Sequence, residues 1–230
     1  MAPSTGAPST GAPSTGAPST GAGGVAPRRS VVERDTAETK VRVELTVDGS
    51  GRHDVSTGIG FYDHMLAQLA KHGGLDLTVR TEGDLHIDAH HTVEDTALAL
   101  GTALAEALGD KAGVRRFGSA LVPLDEVLVQ SAVDLSGRPY VVHEEPALAP
   151  FVGGTGPVFP TSLTRHFWES FGMAARITLH VLVLRAARPG SQPDAHHVIE
   201  AQCKSVARAL RDAVRIEEPG GAIPSTKGVL

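Results

Sequence analysis

The sequence predicts an α+β fold made of two similar β-β-α-β-β-α units. Three observations carry that reading. First, His90-His91-Thr92-Val93-Glu94 returns as His196-His197-Val198-Ile199-Glu200, an offset of 196 − 90 = 106. Second, the apolar stripe behind each motif keeps that offset: Leu100, Leu104 and Leu108 match Val206, Leu210 and Val214, positions i, i+4 and i+8 of an amphipathic helix. Third, VRVELTVDGSGR (41–52) aligns with VLVQSAVDLSGR (127–138), and His64 and His166 each stand fifteen residues before a strand valine, Val79 and Val181. A repeat of this size is a duplicated supersecondary unit rather than a chance motif.

The elements follow in chain order. Residues 1–27 hold four copies of Ala-Pro-Ser-Thr-Gly, from Ala2 to Gly21. The repeats carry no charge and no large apolar side chain, so this stretch is expected to be a disordered tail. The folded part, 28–230, divides into units of about 28–122 and 123–230. Val41, Val43, Leu45 and Val47 alternate as a half-buried strand, and Asp48-Gly49-Ser50-Gly51 suits a hairpin turn. Residues 60–72 are helical by period, Leu75, Leu77 and Val79 alternate again, Gly83-Asp84 turns the chain, and a helix over 92–108 ends near Gly109. Pro and Gly collect at 144–161 and 186–195, where loops are expected. Two sheets with helices packed between them accommodate this pattern.

Composition narrows the function. The net charge is −5 with no basic block, which argues against nucleic acid as the main partner. No apolar run reaches a membrane-spanning length. Cys203 is the single cysteine, so no internal disulfide forms, and a buried structural thiol in a reducing cytoplasm is the expectation. The segment at the start has neither the apolar core of a signal peptide nor the Arg-rich pattern of a transit peptide.

Eleven histidines are many for 230 residues, and they fall at matching points of the two halves. On a helix, His90 and Glu94 share a face at i and i+4, whereas His90 and His91 diverge by about 100°. The two imidazoles therefore serve two different ions more readily than one. Eight ligands emerge: His64, His90, His91 and Glu94 from the first half, and His166, His196, His197 and Glu200 from the second. They suit two metals of four protein ligands each. Imidazole with carboxylate and no thiolate favours Mn²⁺ or Fe²⁺ over structural zinc. One copy alone could be a polar helix start, where the dipole favours Glu. Two copies that keep His and Glu while the apolar residues drift are not explained that way.

These motifs also carry a family resemblance. FYDHM (61–65), DAHHTVED (88–95), RRFG (115–118), PLDE (123–126), DLSGRP (134–139), Thr164-Arg165-His166, DAHHVIEAQCKSVARAL (194–210) and PSTKGVL (224–230) resemble the imidazoleglycerol-phosphate dehydratase family from about Arg29 to Leu230. The resemblance implies the fold of the second domain of the fifth small-subunit ribosomal protein. It implies dehydration of D-erythro-imidazole-glycerol phosphate to imidazole-acetol phosphate in histidine biosynthesis, through an imidazolate held by two Mn²⁺ per active site. It also implies a homo-oligomeric 24-mer whose sites lie where subunits meet, with ligands from more than one chain.

Site roles follow from the same resemblance. Arg116, Arg138, Lys204, Ser225 and Lys227 match phosphate-binding positions; Arg supplies forked donors and Lys a point charge. Gln68 and His72 lie i+4 and i+8 from His64 and could approach the substrate, although His72 could equally cap its helix before Gly73-Gly74. Glu38 matches a glutamate near the active site and is the candidate proton-transfer group, beside His91, Glu94, His197 and Glu200 as the catalytic set. Two other functions compete: a two-metal hydrolase, and a metal-assembled shell or storage protein. Most two-metal hydrolases use bridging carboxylates, for which only Glu94 and Glu200 stand here. A storage shell would not need the phosphate set.

Overall fold

Inward-pointing Thr39, Val41, Val43 and Leu45 alternate with outward Lys40, Arg42 and Glu44 along β2 (Thr39–Thr46), so β2 presents one face to the core and one to water. In the computed structural model, which describes residues 1, 27–154 and 156–230, β2 is central in a sheet of order β1-β2-β4-β3, with β1 (Arg29–Asp35), β3 (His53–Ser56) and β4 (Asp76–Gly83). The second sheet, β5-β6-β10-β7, repeats it with β5 (Phe117–Leu124), β6 (Val127–Asp134), β7 (Tyr140–Glu144) and β10 (Thr178–Arg185). The expected tail falls, apart from its ends, outside the described residues.

Four helices lie between the sheets: α1 (Gly60–Gly73), α2 (His90–Leu108), α3 (Leu163–Ala175) and α4 (Ala195–Ala213). α2 packs on β1 and β2, and α4 on β5 and β6. Across the middle, α2 meets α3 and α1 meets α4, so each helix contact joins one half to the other. A single apolar core runs through both halves and includes Leu100, Leu104, Leu108, Val206, Leu210 and Val214. At the α2–α3 crossing, a Cβ on Gly101 would come 2.5 Å from the Phe171 carbonyl oxygen. Only glycine lets the two backbones approach so closely.

The duplicated α+β architecture stands as read, but three details differ. The turn at Asp48–Gly51 does not close a hairpin. It carries the chain past the start of β4, so that β3 runs parallel to β4 on its far side. Asp76 holds this crossing: its Oδ1 accepts from Ser50 N at 2.8 Å and Arg52 N at 3.1 Å, and its Oδ2 accepts from the Arg52 guanidinium at 2.6 Å. Each unit is therefore β-β-β-α-β-α, with its third strand before the first helix and a loop over 84–89. Turn residues are the same for a hairpin and for a crossing, so local chemistry does not separate them. The boundary between units also falls before 122/123, because β5 bonds along its length to β6. Finally, the 144–161 loop contains a short hairpin, β8 (Phe151–Val152) and β9 (Phe159–Pro160).

Those amide donors and the Arg52 ion pair hold the Asp76 carboxyl down at about 2, against an ordinary 3.8. A depressed carboxyl stabilises the fold above its unfolded value and loses that contribution as pH falls through its folded one. Asp76→Asn is expected to cost about 1 kcal/mol at pH 7 after solvent screening. In denaturant melts of both proteins from pH 7 downward, the deficit should shrink below about pH 4. A deficit that stays constant with acid would contradict this origin.

Candidate metal and substrate site

Each HHxxE motif lies in the first turn of a helix, with an aspartate two residues before its first histidine. Asp194 caps α4, its Oδ1 accepting from His196 N at 2.9 Å and His197 N at 3.3 Å; Asp88 accepts from His90 N at 2.7 Å, but the N-cap residue of α2 is Ala89. The first turn then projects His90 and Glu94, or His196 and Glu200, from one side.

Cross-pairing of the helices completes each group with a histidine from the opposite half. His64 on α1 joins His196 and Glu200 on α4; His166 on α3 joins His90 and Glu94 on α2. In each triad the candidate ligand atoms all lie within 4.8 Å of one another. His64 Nε2 and His196 Nε2 are 3.4 and 3.0 Å from Glu200 Oε2. His90 Nε2 and His166 Nε2 are 3.9 and 3.3 Å from Glu94 carboxylate oxygens. His166 Nε2 is buried and has no hydrogen bond, a desolvation cost that a shared cation would offset. Two imidazoles and a carboxylate aimed at a shared point fit a divalent transition metal.

His91 and His197 do not join these triads. Their rings stand nearly perpendicular to His90 and His196, with centroids 5.8 and 6.2 Å away. His91 Nδ1 is 3.0 Å from Asp84 Oδ2, while its Nε2 faces Glu38 Oε2 at 3.6 Å. His197 repeats this with Nδ1 3.2 Å from Glu126 Oε1 and Nε2 3.8 Å from Asp125 Oδ2. A carboxylate on Nδ1 fixes the proton there and leaves Nε2 as the lone-pair nitrogen, the orienting arrangement of metal-bound histidines. The Asp84 hydrogen bond raises the His91 pKa above the ordinary value, with help from Glu38. At His197, burial pulls downward, but Glu126, Asp194 and Asp125 outweigh it and the net shift is upward.

The residues expected around the substrate divide into two places. Gln68 and His72 continue along α1 from His64, with Gln68 Nε2 3.5 Å from His64 Nδ1 and His72 Nε2 3.2 Å from Gln68 Oε1. Burial, then the charges of Lys204 and Arg208, lower the His72 pKa and keep the ring neutral. Lys204 Nζ is 2.6 Å from Glu200 Oε1. Burial alone would raise the Glu200 carboxyl; the Lys204 bond overcomes it and holds the carboxyl below its ordinary value.

The other phosphate candidates lie elsewhere. Arg116 N donates to the Ala213 carbonyl at the far end of α4, about 25 Å from His196 along the helix. The Arg116 guanidinium donates to both Asp134 oxygens, at 2.7 and 3.1 Å, and to Pro224 O at 2.8 Å, committing three of its five N–H groups. Ser225 and Lys227 share a turn just after Pro224. The terminal Leu230 closes on Gly137 (φ +71), where a Cβ would lie 2.3 Å from the Leu230 carbonyl carbon, next to Arg138. Arg116, Arg138, Ser225 and Lys227 thus form one basic end, at the opposite end of α4 from His196.

Sequence reasoning assigned no role to Asp84, Asp125 and Glu126, the partners of His91 and His197. The last two stand in the PLDE motif, and Asp84 in a turn; only the fold brings them to the imidazoles.

Comparison with known proteins identifies the family. The family model for imidazoleglycerol-phosphate dehydratase matches residues 57–210. The imidazoleglycerol-phosphate dehydratase of Salinispora tropica is 68% identical over 204 residues, covering 88% of this chain and 99% of the relative. That of Streptomyces griseus is 56% identical, covering 90% and 100%. The crystal structures of the enzymes from Staphylococcus aureus (TM-score 0.69, 31% identity, 82% of this chain, 99% of that one) and Pyrococcus furiosus (0.71, 33%, 86%, 100%) share the fold.

The Asp84 contact has a measurable signature. NMR titration of the metal-free protein should place His91 above the ordinary 6.5, and Asp84→Ala should bring it back toward that value. The sign follows from a raised pKa: this contact stabilises the fold fully at acid pH and fades as pH rises through the folded value. An unchanged His91 titration in the variant would show that Asp84 does not hold the ring.

Proposed function

The chain belongs to the imidazoleglycerol-phosphate dehydratase family and is a carbon–oxygen hydro-lyase of histidine biosynthesis; we propose that its reaction converts D-erythro-imidazole-glycerol phosphate to imidazole-acetol phosphate at a dimanganese site shared between copies of the chain. The observation that carries the reading is the pair of three-ligand clusters, each drawn from both halves, left with two outward Nε2 atoms per chain. Two triads plus His91 and His197 make two four-ligand sites if a second copy lends its outward imidazoles. The separation of about 25 Å along α4 between His196 and the basic end supports the same assembly, since that triad and the basic end of one copy cannot both reach a substrate this small. A closed symmetric homo-oligomer, the 24-mer, satisfies every such contact at once. The lone cysteine, Cys203, is buried and free, and a cytoplasmic location accords with it. No helix among the described residues is long and apolar enough to cross a membrane.

The two triads would hold the manganese ions, which would supply Lewis-acid chemistry to the substrate. The rest falls to this chain's side chains. Arg116, Arg138, Ser225 and Lys227 bind the phosphate through charge-assisted donors and so set the depth of the glycerol chain. Gln68 and neutral His72, on the His64 face of α1, orient the ring. Glu38 is about half exposed, and its Oε2 takes the carbon-bound proton and can return a proton to the departing hydroxyl.

Purified protein given imidazole-glycerol phosphate should release the enol-ketone product. Glu38→Gln should keep substrate and metal bound and lower kcat by about 10²-fold or more. Arg138→Ala should raise KM and spare the metal content. Wild-type turnover by Glu38→Gln would move the proton-transfer role to His72.

Chelation tests the assembly separately. Light scattering should show the large particle falling to smaller units when metal is stripped, and recovering when Mn²⁺ is returned. An intact particle after complete stripping would show that the shared ligands do not hold it together.

A further inference from the structure

Resting on the metal reading above, we infer that the two metal sites are unequal, that the His90–Glu94–His166 site is the tighter, and that Lys204 is the side chain that weakens the other. The duplication supplies an internal control, because the two triads have the same ligand types on equivalent helices. What differs is the next turn. Four residues after Glu200 stands Lys204, its Nζ 2.6 Å from Glu200 Oε1. Four residues after Glu94 stands Leu98, the equivalent of Lys204 at the offset of 106. Among the described residues Glu94 pairs only with His90 and His166.

The chemistry of that difference has one direction. A cation bonded to a ligand carboxylate competes for its electron density and repels a second cation placed on the other oxygen. The His64–His196–Glu200 triad then carries no net charge from its carboxylate–lysine pair, while the His90–Glu94–His166 triad retains the full carboxylate charge. Burial sharpens the contrast, since the Glu200 side chain is 13% exposed and that of Glu94 is 36%, and the lower dielectric around Glu200 strengthens the Lys204 term. The ligand nitrogens differ in the same sense. His196 Nε2 and His64 Nε2 hydrogen-bond Glu200, whereas His166 Nε2 stands 3.3 Å from Glu94 Oε1 without making a hydrogen bond.

The test is Mn²⁺ titration of the metal-stripped full chain, with free Mn²⁺ read by its six-line electron paramagnetic resonance signal. Two uptake steps per chain are expected, separated by about tenfold or more in Kd. His90→Ala should remove the tight step and His196→Ala the weak one. Lys204→Leu, which copies Leu98, should draw the weak step toward the tight one; Lys204→Arg, which keeps the charge, should leave them apart. Leu98→Lys should weaken the tight step and covers the case in which Lys204→Leu folds poorly. Two equal steps in the wild-type chain, a reversed assignment, or a separation that survives Lys204→Leu would overturn the inference and leave the dimanganese reading intact. Absence of Mn²⁺ uptake, or uptake indifferent to both histidine variants, would overturn that reading and this inference with it.

Discussion

The cross-pairing of helices, α1 with α4 and α2 with α3, is the constraint on which the site depends. Each pairing is an apolar contact between halves, and each ends in a triad that neither half could build. His64 without α4 has no carboxylate opposite, and His166 without α2 has none either. The close approach at Gly101 against the Phe171 carbonyl sets how near α2 and α3 can come. Core packing, rather than any contact between polar groups, thus brings the imidazoles together. Three or four imidazoles and carboxylates gathered this way cost desolvation and repulsion unless something cationic shares them.

The sheets do a different job. Their turns carry the carboxylates that face His91 and His197. The β1–β2 turn brings Glu38 to His91, and the β5–β6 turn brings Asp125 and Glu126 to His197. The same strands, about 24 Å long at eight residues, separate those turns from Asp134 and the basic end around Arg116. The His196 triad and the basic end around Arg116 are therefore at opposite ends of one fold, a separation that the proposed association would bridge. Duplication suits such an arrangement, because two equivalent triads and two outward imidazoles per chain can be matched by symmetry.

Duplication also exposes where the halves have parted. The second half gained the β8–β9 hairpin, whose Phe159 packs on Phe61, with Phe61 in turn edge-on to His196. It gained Lys204 beside Glu200 where the first half has Leu98. A buried polar group of His143, Gln202 and Trp168 stands where the first half is built differently. The hairpin contact and Lys204 both lie beside the His64–His196–Glu200 triad, so the two triads share their ligand types but not their surroundings.

The sequence by itself determined the duplicated α+β architecture, the helix faces and the eight candidate ligands, because these rest on periodicity and residue type, which are local. His90 and His91 were separable on paper by helix geometry alone. It did not determine that β3 crosses to the far side of β4, since a crossing and a hairpin use the same turn residues and differ only in which strand lies alongside. Nor did it determine the composition of each triad. The histidine that joins Glu94 is His166, 72 residues away, and not the nearer His64; only helix packing decides that. The roles of Asp84, Asp125 and Glu126, and the distance between the His196 triad and the basic end, were likewise invisible. They are properties of contacts between residues far apart in the chain, and those contacts exist only once the tertiary fold has closed.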